Sequence, residues 1–145
     1  MAVTGKLYGN VFKAAFNKEI DWNTDTIKCM LVTSIYTPDQ DVHDYYDDIT
    51  NEVVGTGYVA GGATITNPTT TYTGATNKHV LDCDDPSWAA STITARTAIF
   101  YDAQTGVTST EPLICYQQSD SNIVSTAGTF TVQLNASGLV EITVA

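Results

Sequence analysis

The chain has 145 residues, 43% of them apolar and 15% charged. That length supports one domain with its own core, and the composition is too apolar for a disordered chain. Sixteen acids against six bases give a net charge of −10, which repels phosphate backbones and argues against binding to DNA or RNA.

The first 18 residues carry Lys6, Lys13 and Lys18 and no acid, so a leader of +3 precedes a remainder of −13. Leu7, Val11, Phe12, Ala15 and Phe16 recur at the spacing of one helix face, which predicts a short helix near 5–19. Two Phe in a terminal segment make a poor solvent face, so they pack on their own domain or on a neighbour. The lysines read either as a solvated face or as part of an arm that docks on an acidic surface. The leader thus reads as a helical arm over 1–20 on a β-domain over 21–145. Removing residues 2–18 is expected to leave that domain folded.

Thr is the commonest residue, at 24 positions, and with Tyr, Val and Ile it favours pleated, half-buried surfaces. Strands are predicted over Thr26–Ser34, Thr64–Thr66, Thr69–Thr73, Lys78–Cys83, Thr92–Tyr101, Leu113–Gln117, Thr129–Leu134 and Leu139–Val144. In Thr92–Tyr101, Ile93, Ala95, Thr97, Ile99 and Tyr101 alternate with Thr94, Arg96, Ala98 and Phe100 and are assigned to one face. Asn135 to Gly138 reads as a four-residue hairpin loop, with Phe130, Val132 and Leu134 facing Val140, Ile142 and Val144. Between the first two strands, Thr37, Pro38 and Gln40 resemble a helix start. Val42, Tyr45, Tyr46 and Ile49 would share the buried face of that helix, with Asp44, Asp47 and Asp48 outside. The expected architecture is all-β: an antiparallel, jelly-roll-like β-sandwich with a short N-terminal helix and one short helical insertion.

The motifs that carry chemistry are weak. Gly55 to Ala60 matches a dinucleotide fingerprint, but no helix follows it, and a Gly-rich turn between close backbones explains it. Asp21 to Asp25 begins like a calcium loop, but Thr26 and Val32 stand where Gly and Glu are needed, leaving an Asx-rich turn. The acids of Asp39–Glu52 and Asp82, Asp84 and Asp85 form a solvated face or converge on a cation. His43, His79, Cys29, Cys83 and Cys115 have no zinc spacing, and no nucleophile elbow occurs. No residue is assigned a catalytic, cofactor or metal role. Trp22, Trp88 and tyrosines such as Tyr58 and Tyr72 are core residues or a surface platform for a carbohydrate or protein. Three scattered Cys, no apolar leader and no 18-residue apolar run suit a soluble protein made in a reducing cytoplasm, without a membrane.

The run Ile20–Tyr58, with Ile20-Asp-Trp22, Thr24-Asp-Thr-Ile-Lys28 and Tyr36-Thr-Pro-Asp39, resembles a recurrent family of tailed-bacteriophage virion structural proteins. The block Asp82–Tyr101, the turn Asp102–Gly106 and Pro112-Leu113-Ile114 resemble later parts of the same family, so the likeness covers nearly the whole chain. Cys29 and Cys83 stand where the family pattern has Val or Ala, small-hydrophobe exchanges that change little. The resemblance implies a head decoration (cement) protein on the outer capsid surface of the virion. Its partners would be the major capsid protein and further copies of itself, as a homotrimer. The residues expected to make those contacts are Lys6, Leu7, Tyr8, Val11, Phe12, Lys13, Phe16 and Lys18. A tail or baseplate component and a surface receptor- or carbohydrate-binding module are the competing expectations.

Overall fold

The fold is taken from a computed structural model, which describes residues 2–145. Two long antiparallel strands form its spine, β6 (Ser87–Asp102) and β7 (Leu113–Thr131), joined through a loop with one 3-10 turn at Thr108–Thr110. Around them lie β1 (Val3–Leu7), α1 (Val11–Phe16), β2 (Ile27–Val32), β3 (Ala63–Thr64), β4 (Thr69–Thr73), β5 (Lys78–Asp82) and β8 (Val140–Thr143). Five strands make one sheet in the order β1-β7-β6-β2-β3, and three make a second in the order β4-β5-β8. All pairings are antiparallel, so the chain is all-β and sandwich-like, as expected from its composition.

The larger sheet is buried on both faces. One face packs on the small sheet and α1 through Ile27, Cys29, Leu31, Ile93, Phe100, Ile114, Val140 and Val11, with Leu81 and Ile142 at the margin. The other is covered by the segment from Tyr36 to Ile49, which adds Tyr36, Tyr46 and Ile49 to Met30, Val32, Ile99, Tyr101 and Tyr116. A single row crosses all five strands: Leu7, Cys115, Phe100, Cys29 and Ala63 stand opposite one another in turn.

The register of β6 against β7 shifts at four places, and the shift between Ala95 and Thr97 breaks the strict alternation expected over Thr92–Tyr101. Ile93 and Ala95 therefore share a core with Ala98 and Phe100, while Ile99 and Tyr101 face the opposite side.

The leader is corrected in two ways. Val3–Leu7 is a strand, paired with Ser119 to Cys115 of β7, and the helix is confined to Val11–Phe16. Gly5 disfavours helix, and the unpaired edge of β7 offers a ladder that local periodicity cannot reveal. Tyr8 is fully buried, and Val11 and Ala14 are nearly so. Val3–Leu7 is thus an edge strand of the larger sheet rather than part of a helix near 5–19.

The helical insertion shrinks to a 3-10 turn at Tyr46–Asp48. Asp39 Oδ1 accepts the Asp41 and Val42 N–H groups, each at 3.1 Å, and this Asx turn replaces the first helical turn. Val42, expected on the buried face, is 67% exposed. The terminal hairpin is corrected too. The Asn135–Gly138 turn exists, but Phe130 stands opposite Trp88, and β8 pairs with β5 from Lys78↔Thr143 to Leu81↔Val140. Phe130, Val132 and Val140 still meet in one core, across the two sheets, whereas Val144 is exposed.

Candidate functional site

The eight leader residues divide by side. Tyr8 and Val11 point into the domain; the Tyr8 hydroxyl lies 3.1 Å from that of Tyr36. Leu7 is half-buried at the margin of the inter-sheet core. Lys6, Lys13 and Lys18 are exposed, as are Phe12 (45%) and Phe16 (86%). The shortness of α1 explains this split. A helix of six residues presents one narrow inner face, taken by Val11 and Ala14, and leaves both Phe outside it.

Beside these residues the sandwich is open. β1 and β8 are the free edges of their sheets on the same side, and the gap between them is a groove rather than a closed seam. At one end, a hollow of about 210 Å³ is lined by Leu7, Phe12, Ala15, Ile20, Trp22 and Ile142, with His79 as its one titratable side chain. Leu7 also lines the middle section, where Gly5 faces Val140, and Gln117 connects that section to a third hollow beside Val3 and Val132. Gly5 and Ile20 were not singled out in the sequence, and Val140 and Ile142 were read only as core, since β8 reaches this groove through its pairing with β5.

The other candidate motifs are structural fastenings. Gly57 has φ +79°, and a Cβ there would come within 2.9 Å of the Ser91 backbone, so Gly55 to Ala60 is a close approach of two backbones. Glu52 Oε1 accepts the Tyr58 hydroxyl at 2.7 Å and the Gly61 N–H at 2.6 Å, holding this Gly-rich strap down. Asp21 Oδ1 accepts the Asn23 and Thr24 N–H groups, the expected Asx turn. Asp84 Oδ2 takes hydrogen bonds from Thr66 and Asn67, and Asp85 Oδ1 takes the Leu134 N–H. Among the described residues, no group of three or more His, Cys, Asp or Glu side chains is placed to hold a metal ion. No helix among them is long and apolar enough to cross a membrane.

Comparisons of the chain with protein-family models, curated proteins and solved structures return no match.

The histidines are engaged separately. His43 Nδ1 is hydrogen-bonded to the Tyr36 hydroxyl at 2.8 Å and to the Asp39 N–H at 3.2 Å, whereas His79 Nε2 meets Thr70 Oγ1 at 2.8 Å. Neither contacts a serine or cysteine nucleophile. The aromatic platform does not assemble: Trp22 and Trp88 are 6% exposed, Tyr58 is half-buried with its hydroxyl on Glu52, and of the named residues Tyr72 alone is well exposed. The groove beside β1 and β8 offers apolar surface to a partner, with Lys6 and Glu141 on its middle section.

Proposed function

We propose that this chain is a structural, non-enzymatic protein of a tailed-bacteriophage virion. In this reading it is a decoration (cement) protein that binds the outer surface of the head shell and bridges capsid subunits. The observation that carries the proposal is the pair Phe12 and Phe16, exposed beside Lys6, Lys13 and Lys18 on a body that is otherwise acidic. The likeness of Ile20–Tyr58 and Asp82–Tyr101 to virion structural proteins supplies the context. The partners are the major capsid protein and further copies of the chain, as a trimer, and neither membrane nor nucleic acid takes part. Synthesis takes place in the host cytoplasm.

The physics of such a contact is simple. Burying an exposed Phe contributes about 1.5–3 kcal/mol, and the lysines add orientation and association rate more than affinity. A ligand that binds only the intact shell stabilises it by mass action, so many weak copies strengthen a particle.

The test uses particles stripped of the protein. Native chain should rebind to saturation and raise the temperature at which the shell opens. Phe16→Ser should fold normally and bind at least about tenfold more weakly. Full occupancy by that variant, or absence of the polypeptide from purified virions, overturns the proposal. Labelling intact particles separates head from tail or baseplate.

A further inference from the structure

The pairing of β6 with β7 leaves one charged side chain in an unusual place. Ala95 stands opposite Ile123 and Thr97 opposite Gln118, so Arg96 alone faces residues 119–122 of β7. A bulge of this kind bends the strand and re-aims the side chains beside it. Arg96 Nε donates to the Ser119 carbonyl at 2.6 Å, which fixes the guanidinium plane from one side. Both residues stand in the wall of the hollow beside Val3 and Val132, whose volume is about 260 Å³.

The base of that hollow is apolar. Ala95, Ala98, Phe130 and Val132 are buried there, whereas Val3 and Gln133 are exposed, so the hollow opens to solvent on their side. Arg96 is half-buried and has no acid of its own. The sole ion pair among the described residues joins Lys78 to Glu141, so no carboxylate among them lies within 4.0 Å of Arg96. Asp120, the nearest acid along β7, is taken by the Ala2 N–H at 3.0 Å and the Ser121 hydroxyl at 3.1 Å. Those two bonds, more than Arg96, hold its carboxyl below the usual range. A half-buried cation against apolar walls is incompletely hydrated and is stabilised by an anion.

Three features define that anion. The bond at Nε leaves the two Nη groups, which are spaced to take both oxygens of one carboxylate. An apolar cavity of about 150 Å³ accepts benzene, so the larger hollow accommodates a body of that size with the carboxylate attached. The net charge of −10 repels each further negative charge on a ligand, which favours a monoanion over phosphate.

We propose that this hollow is a binding site for a small monocarboxylate with a compact apolar body. The body lies on Phe130 and Val132, and the carboxylate meets Arg96. The site shares no residue with the proposed shell contact, so the two readings fail separately.

The full chain is titrated with benzoate and with hexanoate, followed by calorimetry and by amide shifts in NMR spectra. The tighter of the two should bind with a Kd of about 1 mM or below. Acetate, which lacks the body, and benzyl alcohol, which lacks the charge, should bind at least about tenfold more weakly. The shifts should centre on Ala98, Gln117 and Val132. Arg96→Gln should weaken the better acid at least about tenfold and leave benzyl alcohol unchanged. Gln133→Asp, an exposed substitution, should weaken the acid too, by placing a like charge at the mouth. It carries the test if circular dichroism shows that Arg96→Gln does not fold. The inference is overturned if neither acid binds by about 10 mM, or if acetate or benzyl alcohol equals the better acid. It is equally overturned by shifts that centre on α1 and its lysines, or by a folded variant that binds as tightly as the native chain.

Discussion

The hydroxyl oxygens of Tyr8 and Tyr36 lie 3.1 Å apart in the interior, although 28 residues separate them in sequence. The direction of the bond follows from its neighbours. The Asp39 N–H donates to His43 Nδ1, so that nitrogen is an acceptor; Tyr36 donates to it, and Tyr8 donates to Tyr36. The leader is thereby tied to the segment that covers the outer core. Tyr8→Phe should cost about 1 kcal/mol in urea unfolding. Tyr8→Ala should cost about 3–5 kcal/mol, and deleting residues 2–18 should abolish the cooperative transition. A cooperative transition in the deleted chain would show the leader to be an appendage.

Thr97 is 1% exposed, and its hydroxyl has no hydrogen-bond partner. A buried unpaired hydroxyl is destabilising, while Val keeps the branched shape that suits a strand. Thr97→Val should raise stability by about 1 kcal/mol. A clear loss of stability would mean that the hydroxyl is satisfied in solution.

Asp102 carries the clearest pH signature. It is 1% exposed, Oδ1 accepts the Gln104 N–H at 2.9 Å, and Oδ2 has no partner. Burial pushes its carboxyl up from 3.8 to about 7, and the Asp25 carboxylate adds to the rise. The native state therefore holds this proton more tightly than the unfolded chain. The stabilisation is complete below pH 3.8 and is lost as pH rises through about 7. Asp102→Asn keeps the acceptor and directs an amide toward Asp25. Its stability relative to native should increase across that window and level off above it, read from denaturant midpoints at a series of pH values. Parallel pH profiles for the two proteins would remove the assignment.

Gly62 has φ +80°, and a Cβ there would run into the Cys29 carbonyl. Gly106 has φ +68° with nothing within 4 Å of its Cβ position. Gly106→Ala should cost only the left-handed backbone strain, roughly 1–2 kcal/mol. Gly62→Ala should cost several kcal/mol, because backbone must move as well. Equal melting points for the two variants would show that the Gly62 approach is looser than described.

The strands that alternate or run apolar were legible as residues: β2, β4, β5 and the inner half of β6 fall close to where the pattern puts them. Partners were not. Leu113–Gln117 and Thr129–Leu134 read as two strands because Ser, Asn and Thr fill the interval. Pairing with β6 nevertheless carries most of that stretch as one strand of 19 residues, with its polar side chains largely in solvent. The leader looked helical because Leu7, Val11 and Phe12 are spaced for it, and only an edge more than a hundred residues away makes Val3–Leu7 a strand. The exposed Phe12, Phe16 and lysines of the candidate site were visible in the sequence. The groove beside them was not, since its far wall is β8, whose pairing with β5 has no local signal.

The row Leu7, Cys115, Phe100, Cys29 and Ala63 sets a thiol on either side of one Phe, at the centre of the larger sheet. Burial drives both thiols well away from their reactive thiolate forms. An alkylating reagent can therefore capture them only when strands part. Both thiols lie in the core between the two sheets, so their labelling rates record how often the sandwich opens.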